Sequence, residues 1–101
     1  MKKIINGRLY STETAKEIST WDNGLCGSFR FFSEVLYRKK TGEFFVFGRG
    51  GAKSKYAQPC GENSWGYGER IIPVSESEAR KWMEDHADAD AYIEVFGEVE
   101  E

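Results

Sequence analysis

Cys26, Cys60 and His86 are the side chains whose types suit a zinc site or a nucleophilic centre. Both cysteines precede a glycine, as in zinc knuckles, and Asp22 or Glu62 could complete a tetrahedral set of ligands. The close C-x-x-C spacing of many structural zinc sites is missing, however. A Cys–His nucleophilic pair would need one cysteine beside the single histidine, and no nucleophile signature accompanies either cysteine. The alternative for His86 is a histidine at the edge of the core.

The other motifs give no catalytic set. The glycines at 48–51 suggest a phosphate-binding loop, but Ala52 stands where that loop needs a glycine directly before Lys53. The carboxylates around Arg80 and Lys81 have the spacing of ion pairs on a solvated helix face. We therefore expect a binding protein without cofactor rather than an enzyme.

The charge of the chain changes sign along its length. Residues 1–57 contain eleven Lys or Arg and five Asp or Glu, so their formal charge is 11 − 5 = +6. Residues 58–101 contain three basic and twelve acidic residues, so their sum is 3 − 12 = −9, and the total is −3. A folded domain with this polarity carries a field that steers charged partners.

The acidic half predicts a partner-binding surface. Carboxylates on a helix and a tail can enter a basic groove built for nucleic acid, because they repeat the negative charge of phosphates. Plain solubility is the other explanation of the same residues. The acidic residues that we expect to bind a partner are Glu76, Glu84, Asp85, Asp88 and Asp90.

The basic half favours a second class of function, a nucleic-acid-binding protein. Cations mixed with aromatic residues can bind single-stranded nucleic acid. Two observations weigh against it: the phenylalanines are needed for the core, and the isoelectric point of about 5.3 is below that of most nucleic-acid-binding domains. The cations concerned are Arg30, Arg38, Lys39, Lys40, Arg49, Lys53 and Lys55.

Turn and periodicity signals predict the elements of the first half. Asn6-Gly7 tolerates the positive φ angles of a type I′ turn and predicts a hairpin over 3–10. Segments 29–38 and 43–47 predict a longer hairpin, and 43–47 belongs in the centre of a sheet because both of its faces are apolar. Between the hairpins we expect a short helix, capped by Ser11 or Thr12, with an apolar face of Ala15, Ile18 and Trp21.

The second half begins with a long glycine-rich loop at 48–68, in which Tyr56 and Trp65 either anchor a partner or pack on the sheet. Residues 70–74 predict a strand, and because Pro73 cannot donate to a ladder, this is either an edge strand or a strand that ends at Pro73. Residues 92–96 predict a last strand, with a short helix as the alternative. Between these two strands Ser75 and Glu78 form a capping box ahead of a helix with the apolar stripe Ala79, Trp82, Met83 and His86.

Together the elements predict a single α+β domain over 1–101, with an antiparallel or mixed sheet of about five to six strands and two helices. Residues 97–101 are expected to form a flexible acidic tail. No apolar run is long enough to cross a membrane, and the apolar part of the N-terminus is too short for a signal peptide. We therefore expect a cytoplasmic protein whose cysteines are reduced thiols.

Eight segments spread along the chain carry a resemblance: 1–18, 36–45, 50–51, 55–56, 60–61, 63–65, 71–73 and 92–100. Together they resemble a group of small accessory proteins of phages, plasmids and conjugative elements of Gram-positive bacteria. Some proteins of this group are anti-CRISPR proteins, which inhibit type II RNA-guided nucleases. The resemblance implies a non-enzymatic inhibitor that binds a CRISPR effector nuclease in the host bacterial cell, and it implies no site residues.

Overall fold

The fold is α+β, as the sequence predicts. A computed structural model describes residues 1–100, and Glu101, the end of the predicted acidic tail, lies outside the described residues. The helices are α1 (Glu76–His86) and α2 (Ala89–Phe96). The strands are β1 (Lys2–Ile5), β2 (Arg8–Ser11), β3 (Lys16–Asp22), β4 (Phe32–Arg38), β5 (Phe44–Gly50), β6 (Gln58–Pro59), β7 (Trp65–Gly66) and β8 (Gly68–Val74).

The main sheet has four antiparallel strands in the order β3-β4-β5-β8, and two small two-stranded sheets, β1-β2 and β6-β7, accompany it. The predicted central position of residues 43–47 is confirmed, because β5 lies between β4 and β8. Phe45 faces one core and Phe44 and Val46 face the other, since successive side chains of a strand point to opposite faces. Of the two predicted positions for Pro73, an edge strand is observed, because β8 ends the sheet.

The first hairpin covers one face of this sheet. Asn6 and Gly7 have φ angles of 52° and 76°, which fits the predicted turn between β1 and β2. Tyr10 of β2 packs edge-on against Phe45, with 5.6 Å between the ring centroids. Ile71 of β8 completes this smaller core.

Residues 16–22 form β3, so the predicted helix with Ala15, Ile18 and Trp21 on one face is wrong. The pairing of β3 with β4 shifts register at Ile18, between Glu17 and Ser19. A bulge of this kind inserts one residue, and it turns Ile18 toward the same core as Trp21 although the two are three residues apart. Their helical spacing therefore reflects a bulged strand.

The helices cover the opposite face of the sheet. Ala79, Trp82 and Met83 of α1 pack with Leu36, Phe44 and Val46 in the larger core, so the predicted apolar stripe is confirmed for these helix residues. Arg80 of α1 donates to the Tyr92 hydroxyl at 3.2 Å and lies 4.6 Å from the centroid of the Phe96 ring. The middle of α1 therefore contacts the middle and the end of α2.

The capping box of α1 is present as predicted. The Ser75 hydroxyl accepts from the Glu78 backbone N–H at 3.1 Å, and the Glu78 carboxylate accepts from the Ser75 N–H at 2.9 Å. We expect Ser75→Ala to lower the free energy of unfolding by about 1 kcal/mol in urea titrations. Ser77→Ala is the matched control, because Ser77 is exposed on the same helix and makes no described hydrogen bond. Equal effects of the two substitutions would contradict the capping role.

Residues 92–96 belong to α2, so the predicted last strand is wrong and the alternative, a short helix, is observed. Asp88 caps α2 by accepting from the Ala91 N–H at 2.8 Å, and Gly97, with φ 88°, ends it. Tyr92 and Phe96 pack on the larger core at helical spacing. Within residues 1–100, no helix combines the length and apolar character that crossing a bilayer requires.

The predicted irregular segment 48–68 is shorter than expected. Residues 48–50 belong to β5, and β6 and β7 form a small hairpin before β8 begins at Gly68. Tyr56, between these elements, is 2% exposed. Of the two predicted roles for its ring, packing on the sheet is therefore observed.

Candidate functional site

The last part of the described chain concentrates negative charge on the two helices. Residues 84–100 contain seven Asp or Glu and no Lys or Arg. The carboxylates on this stretch of α1 and α2 form what we call the acidic helical surface, which consists of Glu84, Asp85, Asp88, Asp90 and Glu94. All five residues are exposed at the protein surface, so their field acts on the solvent and on partners.

The structure separates the predicted acidic residues by role. Asp85 lies 3.1 Å from the Lys81 ammonium, and Asp88 is occupied as the cap of α2. Within residues 1–100, Glu84 and Asp90 form no ion pair. Glu84 and Asp90 are therefore the predicted residues whose charge is most available to a partner.

Glu76 does not belong to this surface. It is the first residue of α1 and lies about 12 Å along the helix axis from Glu84, at a rise of about 1.5 Å per residue. Its carboxylate is 3.5 Å from Arg80, which already offsets its charge. The prediction that all five carboxylates form one partner-binding group is therefore corrected for Glu76.

An apolar groove between α1 and α2 borders the acidic helical surface. Its volume is about 510 Å³, and Glu84 and Asp88 stand at its edge. Ile93 and Val99 are exposed within it, Val99 by 56%. Sequence reasoning missed this groove, because its lining joins helix residues with the tail: Met83, Ala87, Ala89, Tyr92, Ile93 and Val99.

The two predicted aromatic anchors have different surroundings. Trp65 lies on β7 and is 60% exposed, so its indole is free to meet a partner. Tyr56 is buried, so the expectation that it anchors a partner is wrong. Its ring fills the space above Gly48, where an added Cβ would lie 1.9 Å from the ring.

Tyr56 instead belongs to a buried polar cluster around Glu34, which sequence reasoning also missed. Glu34 Oε1 accepts from the Trp82 indole N–H at 3.0 Å, and Oε2 accepts from the Tyr56 hydroxyl. The Lys55 ammonium lies 2.8 Å from Oε2. These contacts join the sheet, the segment 51–57 and α1 through one carboxylate.

The cluster holds Glu34 in its charged form. Burial alone raises the pKa of this carboxyl, but the hydrogen bonds from Lys55, Tyr56 and Trp82 outweigh burial and hold the pKa below its ordinary value. Burial and the hydrogen bond to Glu34 raise the pKa of the Tyr56 hydroxyl. The carboxylate is thus an acceptor for three donors, and through Trp82 it holds α1, which carries Glu84 and Asp85 of the acidic helical surface.

The three zinc candidates do not converge. Cys26 and Cys60 are exposed free thiols, and His86 stacks on Trp21 with 4.0 Å between ring centroids. The Trp82 and His86 rings also pack edge-on, with 5.1 Å between their centroids, and these contacts place His86 at the edge of the core. In the described part of the chain, no group of three His, Cys, Asp or Glu side chains is arranged to hold a metal ion. A zinc site built from Cys26, Cys60 and His86 is therefore not supported.

Comparison with protein families, with curated proteins and with solved structures finds no match. The chemistry that the helical face offers is recognition by charge and apolar contact. Its carboxylates suit Lys and Arg side chains, and the groove beside them suits an apolar side chain from the same partner.

Proposed function

We propose that this protein is a non-enzymatic inhibitor that binds a type II CRISPR effector nuclease in the cytoplasm of the host bacterial cell. In this proposal the acidic helical surface occupies the positively charged channel of the nuclease and blocks loading of guide RNA or target DNA. The observation that carries the proposal is the run of seven carboxylates without Lys or Arg over residues 84–100.

Charge complementarity supports the choice of partner. Effector nucleases of this class hold their guide RNA and target DNA in a basic channel. They recognise the short DNA motif next to the target sequence with arginines. Within residues 1–100, Glu84 and Asp90 form no ion pair, so their negative charge is available to a basic partner. The sequence resemblance to accessory proteins of mobile elements directs the proposal to type II effectors among the proteins that bind nucleic acid.

The apolar groove adds binding energy to this charge-based recognition. Contacts between exposed charges mainly raise the association rate, whereas buried apolar anchors lower the dissociation rate. Ile93 and Val99 are exposed, and burying one such side chain in a partner contributes about 2 kcal/mol. Trp65, on a different element, is a candidate for a second contact.

A cleavage assay tests the proposal. Purified type II nuclease, guide RNA and target DNA are mixed with a molar excess of this protein, and we expect the DNA to remain uncut. Inhibition should be strongest when the protein is added to the nuclease before the guide RNA and target DNA, because the channel of the nuclease is then unoccupied. Undiminished cutting by several orthologous nucleases would contradict the proposal.

Charge reversal tests which surface is responsible. We expect the double variant Glu84→Lys and Asp90→Lys to raise the inhibitor concentration needed for half inhibition by about tenfold or more, equivalent to about 1.4 kcal/mol. The variant should also reduce the salt dependence of inhibition. Glu13→Lys with Glu62→Lys is the matched control, since it changes the net charge equally at exposed positions outside the helices. Equal losses in both variants would exclude the acidic helical surface as the contact.

A further inference from the structure

One end of the main sheet carries cations from separate segments of the chain. Arg8 comes from β2, Lys16 from the start of β3, and Arg38, Lys39 and Lys40 from the end of β4 and the turn after it. These five side chains line two neighbouring surface depressions of about 320 Å³ and 380 Å³, and both depressions include Lys39 and Lys40. We call this group the basic end.

The positive charge of the basic end is only partly offset. Glu43 is the one carboxylate that lines either depression, so the formal charge of the lining side chains is 5 − 1 = +4. Arg8 lies 2.8 Å and Lys39 3.2 Å from the Glu43 carboxylate. Within residues 1–100, Lys16, Arg38 and Lys40 form no ion pair. These three cations are available to a ligand.

Contacts inside the protein hold part of the site in place. The Lys39 side chain is 15% exposed, and its ammonium lies 4.2 Å from the centroid of the Tyr10 ring. The Lys39 backbone N–H donates to the Glu43 carbonyl at 2.7 Å, which closes the turn between β4 and β5. A site whose side chains are already ordered loses less conformational entropy when a ligand binds.

The donors at the basic end suit phosphate oxygens. Guanidinium and ammonium groups bind phosphates through charge-assisted hydrogen bonds, and the hydroxyl of Thr14, which lines both depressions, adds a neutral donor. No aromatic ring lines either depression in the described chain, so bases have no surface there on which to stack. Such a site contacts the backbone of a nucleic acid and leaves its sequence unread.

We propose that the basic end binds the phosphate backbone of a nucleic acid independently of base sequence. This goes beyond the inhibitor function, because the site uses other residues and the opposite charge. The acidic helical surface and the basic end can then serve different partners. It also gives a role to each half of the chain, because the basic residues of the first half and the acidic helices of the second half form separate surfaces.

Fluorescence anisotropy with labelled duplex DNA and duplex RNA of unrelated sequences tests the proposal. We expect binding to every sequence at low salt. Three to four neutralised phosphates give a slope of about −3 for log affinity against log salt, so affinity falls about 60-fold between about 50 mM and 200 mM salt. Absence of binding at low salt, or binding that depends on sequence, would overturn the proposal.

Two charge-reversed variants locate the site. Lys16→Glu with Lys40→Glu removes two unpaired cations and is expected to abolish binding or to flatten the salt slope by about 2. Arg30→Glu with Lys53→Glu changes the net charge equally at exposed positions near the other end of the sheet, where the Lys53 N–H bonds the Phe29 carbonyl. This control is expected to retain most of the affinity. Equal losses would assign binding to net charge and overturn the proposal.

A third measurement separates nucleic acid from other polyanions. Vesicles of phosphatidylcholine with added phosphatidylserine present anionic headgroups, and we expect much weaker binding to them than to duplex at equal salt. Binding to the vesicles but not to either duplex would assign the basic end to a membrane surface and overturn the proposal. Circular dichroism of both variants confirms that the fold is retained, so a loss of affinity reports on the site.

Discussion

Replacing Gly48 by Ala is expected to lower the free energy of unfolding by about 3 kcal/mol, at the upper end of the range for overpacked cores. The added Cβ would lie 1.9 Å from Cζ and 2.2 Å from the hydroxyl oxygen of Tyr56. The Tyr56 ring is buried and has little room to turn aside, because its hydroxyl bonds Glu34 and its ring packs edge-on against Phe32 at 5.9 Å. The ring must therefore leave its position or β5 must distort.

A double-mutant cycle makes this explanation specific. Tyr56→Ala alone is also expected to cost about 3 kcal/mol, because it removes a buried ring and one donor to Glu34. In the Tyr56→Ala background, Gly48→Ala should lower the free energy of unfolding only slightly, because the ring atoms that the added Cβ would overlap are absent. Urea titrations of the four proteins should give a coupling of about 2 to 3 kcal/mol between the two positions.

Gly66→Ala is the matched control for the glycine substitution. Its added Cβ would lie 3.1 Å from Cys60 Sγ, and Cys60 is exposed and able to shift. We expect a loss well below that of Gly48→Ala. Equal losses at Gly48 and Gly66, or additive effects of Gly48→Ala and Tyr56→Ala, would show that the Tyr56 ring does not fill the space above β5.

Replacing Glu34 by Ala is expected to cost about 3 kcal/mol, because it breaks a buried charged network and leaves its donors without an acceptor. The Trp82 N–H, 3.0 Å from Oε1, and the Tyr56 hydroxyl would both lose their acceptor. Lys55 is half-exposed and can turn to water, so it contributes less to the loss. Glu62→Ala is the control, since Glu62 is exposed and is expected to change stability by less than about 0.5 kcal/mol.

Lowering the pH should remove the stability that Glu34 contributes in the unsubstituted protein. The ordinary pKa of the Glu34 carboxyl is 4.5, and in the folded protein its pKa is lower. The stability that Glu34 contributes is therefore fully present above pH 4.5 and is lost as the pH falls through its folded pKa. Unfolding free energies measured across the acid range should show this loss.

Glu34→Gln isolates the Glu34 contribution from that of other carboxyls. The pKa values of Glu43 and Glu78 are also lowered, through hydrogen bonds first from Lys39 and from Ser75 respectively, so the whole protein has several acid-sensitive groups. Gln keeps the size of the side chain and can still bond Trp82, but it has no charge to lose. We expect a flatter dependence of stability on pH in the variant. Parallel curves for the two proteins would show that Glu34 does not titrate within the cluster.

The Glu34 cluster also connects stability to the proposed inhibitor function. Trp82 belongs to α1, and its hydrogen bond fixes that helix to β4. Glu84 follows two residues later and lies at the edge of the apolar groove. Variants of Glu34 are therefore expected to weaken inhibition only where they disturb the helix, and charge reversal at Glu84 and Asp90 remains the direct test of the surface.

Local patterns in the sequence were sufficient for several elements, because their causes lie within a few residues. Asn6-Gly7 defines its own turn, and Ser75 and Glu78 cap the helix that they begin. The two apolar faces of residues 44–47 identified the central strand, since both sides of such a strand need cover. The acidic partner candidates could be read from composition, because exposed charge on a helix depends little on distant residues.

Tertiary structure decided the rest, because burial depends on residues far apart in the chain. The bulge of β3 at Ile18 and the helical state of 92–96 follow from how these segments meet the larger core. Tyr56 is buried because Gly48 leaves space for its ring and Glu34, 22 residues earlier, accepts a hydrogen bond from its hydroxyl. The groove beside Glu84 and the meeting of Lys16 with Lys40 likewise require the folded chain, since only folding brings such distant residues to one surface.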